Sequence, residues 1–241
     1  MVSEAAAARE AAVGPEVWLA VETSTPSGCV AIWKDGFAYE ETQGISGVHS
    51  ERVLPSIARA MDVVGVRPDE ITSLIVGGGP GSFTGVRIAA SLAKGWIGAR
   101  ETPLFTYSSL LAVAAGAGGD RALCAMFDAR REEVYAACYT IGVAGYTTDI
   151  DPGAWEVRRL LNEIANRGLD PLFAGDGATR NRAVIADAFG PERVLPEHLG
   201  FPRAASLLWL RAVAPEAGRV ERPGEWTPLY VREWRVPEDS G

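Results

Sequence analysis

The stretch Ile71-Thr72-Ser73-Leu74-Ile75-Val76-Gly77-Gly78-Gly79-Pro80-Gly81-Ser82-Phe83-Thr84-Gly85-Val86-Arg87 reads as a strand, a glycine-rich turn and the start of a helix. Residues 71–76 are apolar enough for a buried strand, and they stop abruptly at the glycines. From 84 to 98, Val86, Ala89, Leu92, Ala93 and Trp96 recur at helical spacing. A glycine turn leading into a helix exposes backbone N–H groups at a positive helix end, which physically is an anion site. Two specific phosphate motifs fail here. No lysine follows the glycines until Lys94, and the sixth position of G-x-G-x-x-G counted from Gly79 is Thr84. The other reading is a turn that needs glycine for its backbone angles and close packing. The residues alone leave both open.

Working outward, the same order of elements recurs. Phe173-Ala174-Gly175-Asp176-Gly177-Ala178 repeats the strand-to-glycine transition 98 residues later, and Met126-Phe127-Asp128 repeats Ala20-Val21-Glu22 at an offset of 106. In the first half, strands at 17–21, 28–33 and 37–43 precede a helix at 50–64, where Pro55 should kink the helix or sit near its first turn. Lys34-Asp35-Gly36 is a hairpin turn. A strand at 104–107 and a short helix at 109–115 complete that half, and 116–120 reads as a linker. In the second half, strands at 122–127 and 133–141 are followed by a polar, glycine-bearing passage. A helix at 155–167, a strand at 172–174 and a helix near 180–188 come next. The expectation is an α/β protein of two duplicated lobes, 17–117 and 118–241, with a flexible extension at 1–16 and a C-terminal tail packed back on the first lobe.

Composition narrows the function. With 47% apolar and 22% charged residues in 241, the chain is globular and has length for one large domain or two small ones. A net charge of −8 argues against a sequence-wide basic footprint for nucleic acid or an anionic membrane. No apolar run approaches the roughly 18 residues of a membrane span. The opening residues lack the basic start and apolar middle of a secretory signal. Cys29, Cys124 and Cys138 form no C-x-x-C pair, so neither a disulfide frame nor a cysteine zinc site is expected, and a reducing cytoplasm is the expected location. His49 and His198 are isolated, and there is no G-x-S-x-G elbow, so no metal site and no serine triad are expected. Glu22 and Asp128 each end the first strand of a lobe. They either face one cleft, where carboxylates hold a magnesium–nucleotide or orient a water, or cap turns.

Several motifs occur together and in order: Val21-Glu22-Thr23-Ser24-Thr25, His49-Ser50-Glu51 with Leu54-Pro55, Gly79-Pro80-Gly81-Ser82-Phe83-Thr84-Gly85-Val86-Arg87, Asp128-Ala129-Arg130 with Glu133-Val134-Tyr135, and Pro228-Leu229-Tyr230-Val231-Arg232. On these the chain resembles the bacterial TsaB (YeaZ) family, the dimerisation subunit of the machinery that makes tRNA threonylcarbamoyladenosine, over about residues 17–232. The resemblance implies a two-lobe fold like actin, Hsp70 and sugar kinases, built from two ribonuclease-H-like lobes. It implies a scaffold with no catalytic residues of its own, which supports a TsaD-like catalytic paralogue and, through the complex, a TsaE-like ATPase. The chain would also pair with itself and meet tRNA only indirectly. No cofactor is implied for the chain alone; ATP and magnesium would enter only through the complex. The alternative is an ATP-binding or ATP-hydrolysing enzyme of the same fold, and a peptidase is not supported. The implied subunit interface is His49, Leu54, Ile57 and Met61 on one helix with Val86, Ala89, Ala90, Leu92, Ala93 and Trp96 on the other. The candidate nucleotide or phosphate loop is Glu22, Thr23, Ser24, Gly79, Gly81, Ser82, Thr84, Gly85 and Asp128. Glu22 departs from the family, which usually has Asp there, and the longer side chain disturbs a magnesium–phosphate geometry.

Overall fold

Strand β1 (Val17–Glu22) is apolar throughout because both of its faces are covered. Val17, Leu19 and Val21 point into one buried cluster while Trp18 and Ala20 point into another, the two-residue period of a strand. A computed structural model describes residues 16–43, 49–119, 121–130 and 132–229; the extension expected at 1–16 lies outside them except for Glu16. The first sheet continues with β2 (Gly28–Lys34), β3 (Phe37–Gln43), β4 (Ser73–Gly77) and β5 (Leu104–Tyr107), in the order β3-β2-β1-β4-β5. The β1–β2 and β2–β3 pairs are antiparallel, and β4 joins β1 and β5 in parallel. Asp35 and Gly36 both take positive φ, 50° and 81°, as the expected two-residue hairpin demands.

The second sheet holds β6 (Ala122–Asp128), β7 (Glu133–Gly142), β8 (Gly145–Glu156) and β9 (Leu172–Ala174), ordered β8-β7-β6-β9. That repeats the first four strands of the first sheet, so the fold is the duplicated two-lobe α/β arrangement expected from the sequence. The helices, in chain order, are α1 (His49–Val64), α2 (Phe83–Ala99), α3 (Ser109–Ala117), α4 (Val157–Asn166), α5 (Asp176–Arg180), α6 (Arg182–Phe189), α7 (Ala204–Val213) and α8 (Pro215–Gly218). Helices α1 and α2 cover the outer face of the first sheet; α4, α5 and α6 cover the outer face of the second. Between the sheets, α3 and α7 fill one shared core with Trp18, Ile75, Phe105, Leu123, Phe127 and Tyr139. The result is five alternating layers of helix and sheet.

Three elements differ from the expectation. Pro55 lies inside α1, beyond its first turn. The lost backbone bond costs about 3 kcal/mol, and burial of Val53, Ile57, Ala60 and Met61 against the sheet offsets it. The passage before Trp155 is not a loop: β8 runs through it to Glu156, and helix α4 begins only at Val157. As an edge strand β8 is largely solvent-facing, so it carries little apolar alternation, and an edge with register shifts tolerates Pro152 and Gly153. Helix α7 was absent from the expected elements. Sandwiched between two sheets, it is apolar around most of its circumference and shows no amphipathic period.

That helix ties the halves of the chain together. The backbone N–H of Ala205 donates to Glu40 Oε1 at 2.8 Å, the Arg203 guanidinium pairs with Glu40, and the Ala204 N–H meets Cys29 Sγ at 3.1 Å. Past it, Arg219 bridges Phe105 on the free edge of β5, Val220 N–H donates to the Leu104 carbonyl at 3.0 Å, and Leu229 N–H donates to the Gly78 carbonyl at 2.8 Å. The tail described through Leu229 therefore packs on the first sheet. Among the described residues no helix is long and apolar enough to cross a membrane.

Leu207 is fully buried on α7. Its replacement by Ala is expected to lower unfolding stability by about 2–5 kcal/mol. Urea denaturation followed by tryptophan fluorescence checks this, with a single transition for both lobes because the core is shared.

Candidate functional site

The glycine loop between β4 and α2 is shaped by what lies against it. A Cβ on Gly77 would overlap the carboxylate of Glu22, one on Gly81 the Ser24 carbonyl, and one on Gly85 the Thr23 carbonyl. Glycine is required because the β1–β2 turn occupies the space of these side chains. The loop's amides are engaged as well. Gly78 N–H donates to the Tyr107 carbonyl (2.8 Å), Gly79 N–H to Ser109 Oγ (3.2 Å), Ser82 N–H to the Ser24 carbonyl (2.6 Å) and Gly85 N–H to Ser82 Oγ (3.4 Å). The Thr23 hydroxyl donates to the Gly85 carbonyl at 2.7 Å. Of the two sequence readings of this loop, close packing is the one the geometry supports.

Glu22 is fully buried at the end of β1. Its Oε1 accepts the Ser24 N–H at 2.6 Å and its Oε2 accepts the Ser109 hydroxyl at 2.8 Å. Burial pushes its carboxyl above the usual carboxylate range, with the bonds from Ser24 and Ser109 acting in the opposite sense. It faces inward, so the pairing of Glu22 with Asp128 across one cleft is not formed; the longer glutamate is folded into the loop junction instead. Asp128 does line the interlobe cleft, a cavity of about 540 Å³. Its Oδ1 accepts the Arg130 N–H at 3.0 Å, its Oδ2 pairs with Arg180 Nη1 at 2.7 Å, and its own N–H donates to Asp176 Oδ1 at 3.1 Å. Burial raises the Asp176 carboxyl, while the Asp128 and Gly177 amides hold it down.

Of the candidate loop residues, Ser24, Gly81, Ser82, Thr84 and Asp128 line this cleft, whereas Glu22, Thr23, Gly79 and Gly85 do not. Asp176, Arg130 and Tyr135 also line it; Arg130 and Tyr135 stand among the family motifs but outside the candidate loop, and Asp176 was not assigned a role. The signal for Asp176 was its place in Gly175-Asp176-Gly177, opposite the first glycine loop in the repeat. Ser24 Oγ is buried with no protein partner. A magnesium–nucleotide, which the fold family implies, does not fit these residues: Asp128 is held by Arg180, Glu22 points away, and the amides of Gly78, Gly79, Ser82 and Gly85 are bonded within the protein. Among the described residues no three His, Cys, Asp or Glu side chains converge as metal ligands.

A second feature lies on the outer layer. Between α1 and α2 runs an open groove of about 840 Å³, lined by Val53, Leu54, Pro68, Phe83, Thr84, Arg87, Ile88, Ser91, Leu92, Gly95, Trp96, Ala99 and Arg100. Leu54 is 64% exposed and Phe83 40%, unusual for large apolar side chains. Arg87 stacks on the Phe83 ring at 3.8 Å and Arg100 lies over Trp96 at 5.7 Å. The expected interface set divides here. Leu54, Leu92 and Trp96 face the groove, but Ile57, Met61, Val86, Ala89, Ala90 and Ala93 are buried within the chain's own packing. Their small or apolar side chains seat α1 and α2 on the first sheet and are unavailable to a partner. The His49 side chain lies outside the described residues. Phe83, Ile88, Ser91, Gly95 and Ala99 line the groove but stand outside the expected interface set. Their signal was that α2 is apolar on more than the single stripe a sheet-packed helix needs.

A family model described as TsaD: tRNA N6-adenosine threonylcarbamoyltransferase matches residues 43–222. The tRNA threonylcarbamoyladenosine biosynthesis protein TsaB of Bacillus subtilis is 33% identical over 174 residues, 71% of this chain and 76% of that protein. This chain belongs to the TsaB (YeaZ) family. The Escherichia coli TsaB is 38% identical over 125 residues, 50% of this chain, and the match spans 54% of that protein's length. Among solved structures, YeaZ from Pseudomonas aeruginosa superposes with a TM-score of 0.72 at 28% identity, covering 89% of this chain and 99% of that one. A P. aeruginosa protein described as similar to peptidase YEAZ gives 0.78 at 29% identity, over 90% and 100% of the two chains.

The buried Glu22 gives a pH test with a defined sign. Its folded-state affinity for a proton exceeds that in the unfolded chain, where the ordinary value is 4.5. Between that value and the folded one the native state binds more protons, so this residue's contribution to stability falls as pH rises. Gln retains an acceptor for Ser24 and removes the charge. Glu22→Gln is expected to match the parent near pH 4 and to gain on it progressively toward pH 8, measured by urea midpoints across pH.

Proposed function

We propose that this chain is a non-catalytic subunit in tRNA N6-threonylcarbamoyladenosine biosynthesis, binding and supporting a TsaD-like catalytic paralogue through the groove between α1 and α2. The single observation that carries the reading is that groove: an apolar, open surface on two helices held rigidly by the sheet beneath. Large exposed apolar surfaces on a folded domain mark protein contacts. The TsaB name of the relatives supplies the pathway. The interlobe cleft supports the non-catalytic part, because its carboxylates are engaged by Arg180 and nearby amides, and several loop amides by other groups of the chain. A TsaE-like ATPase would join through the complex, and a second copy of this chain would use the same groove in the absence of the paralogue. With a net charge of −8 the chain is a poor RNA surface, so tRNA would be held mainly by the partner.

Leu54→Asp and Phe83→Ser each remove an exposed anchor worth about 1.5–3 kcal/mol when buried. Each is expected to weaken paralogue binding by roughly 10- to 100-fold in isothermal titration, with little change in the melting temperature. Val143→Ser, at the 89% exposed tip of the β7–β8 hairpin, is the silent control. Unchanged affinity in both groove variants sinks the reading. Reconstituted tRNA modification should also fall to background when this chain is omitted.

The chain alone is expected to need no nucleotide. Titration with ATP and magnesium should give no saturable heat at millimolar nucleotide, and submillimolar binding would reinstate an ATP-using enzyme.

A further inference from the structure

The groove between α1 and α2 carries charge of one sign only. Among the described residues that line it, the ionisable ones are Arg87 and Arg100, in a chain whose net charge is −8. Both are exposed, and among the described residues neither takes part in an ion pair. Asp69 is held below the usual carboxylate range first by its hydrogen bonds from Arg67, at 3.1 and 3.2 Å, and only last by the charge of Arg100. Its acceptor capacity is turned to Arg67.

What the two arginines do touch is aromatic. The Arg87 guanidinium carbon lies 3.8 Å from the centre of the Phe83 ring, and that of Arg100 lies 5.7 Å from Trp96. A guanidinium resting on a ring is held in place, while the N–H donors along its edge stay available for the two oxygens of a carboxylate. The first turn of α2 contains no acidic residue, so the positive helix end adds to the charge of Arg87. Between the two arginines the floor is apolar, with Leu54, Ile88 and Leu92. Closing a purely apolar surface over it would strip water from two cations and return nothing to them.

A second copy of this chain is the poorer match. Two copies meeting groove to groove about a two-fold axis present the same patch to each other. That brings four arginines together, and none of the described lining residues is a carboxylate. A strand of RNA would satisfy the arginines but would leave the apolar floor against its phosphates. The complementary surface is a protein one, apolar in the middle and acidic at both ends. Along α2 the two arginine positions stand about 20 Å apart, which sets the spacing of the carboxylates.

We propose that the groove selects an acidic partner: an apolar helix face carrying one Asp or Glu opposite Arg87 and another opposite Arg100, each carboxylate received by a guanidinium that Phe83 or Trp96 holds in place. Arg87 and Arg100 thereby decide which surface the groove accepts, and a second copy is its weaker occupant. This assignment rests on the assembly role proposed above and adds the chemistry by which the partner is chosen.

Isothermal titration of the full chain with the purified paralogue, at about 50 and about 500 mM sodium chloride, tests it. Affinity should fall about tenfold across that range, and Arg87→Gln should cost about tenfold at the lower salt and flatten the salt dependence. Arg100→Gln should act in the same direction more weakly, because its guanidinium lies farther from its ring. Arg87→Lys, which keeps the charge and loses the fork, should fall between the parent and Arg87→Gln. Melting temperatures should not move, since both positions are exposed. Carbodiimide labelling should show Asp or Glu side chains of the paralogue protected in the complex, with one of them unprotected when Arg87→Gln is used. Binding that ignores salt and both glutamine substitutions overturns the proposal and leaves the assembly role standing. No binding by the parent chain defeats both. Self-association of this chain that weakens with salt and is lost in Arg87→Gln assigns the acidic surface to a second copy and overturns the proposal. Binding of a tRNA transcript to this chain alone that is lost in Arg87→Gln assigns the groove to RNA and overturns it too.

Discussion

The glycine loop can close on the β1–β2 turn only because Gly77, Gly81 and Gly85 leave room for Glu22, Ser24 and Thr23. This close approach sets the height and rotation at which α2 leaves the sheet. With Val86, Ala89 and Ala93 turned down into the core, Phe83, Leu92 and Trp96 are left facing outward. The buried carboxylate of Glu22 knots the same junction to α3 through Ser109. A surface feature, the groove, is thus a consequence of an internal packing constraint.

The same junction limits what the glycine loop offers a phosphate. A phosphate loop needs free amides and an unobstructed helix start. Here several loop amides point to Tyr107, Ser109 and Ser24. On the opposite lobe Asp128 is bound by Arg180 and by the Arg130 amide. The outward face of α2 carries the apolar exposure that the cleft lacks.

The shared central core makes the two lobes one mechanical unit. Helix α7 belongs by sequence to the second half but packs on the first sheet, with Glu40 satisfying the Ala205 amide at its N-terminus. Under the assembly role proposed above, such a platform would hold α1 and α2 in fixed register, so that a partner would order only its own side chains on binding.

The two glycine-ended strands, the Asp35-Gly36 hairpin and the helical periods of α1 and α2 were legible in the chain, since they rest on local backbone and spacing rules. The duplicated lobes followed from them, and the ordered motifs identified the family. Three things were not legible, for physical reasons. Strand β8 hides because an exposed edge needs no apolar alternation, and α7 hides because it is apolar around most of its circumference, with Ala205, Trp209 and Ala212 on its less buried side. The direction in which a side chain points is decided only when elements meet. Glu22 and Asp128 look equivalent along the chain, yet one is sealed under the glycine loop and the other opens onto the cleft. Likewise α2 shows its apolar residues to any reader, but only its seating on the sheet decides that Ala89 and Ala93 are core while Phe83, Leu92 and Trp96 face the groove.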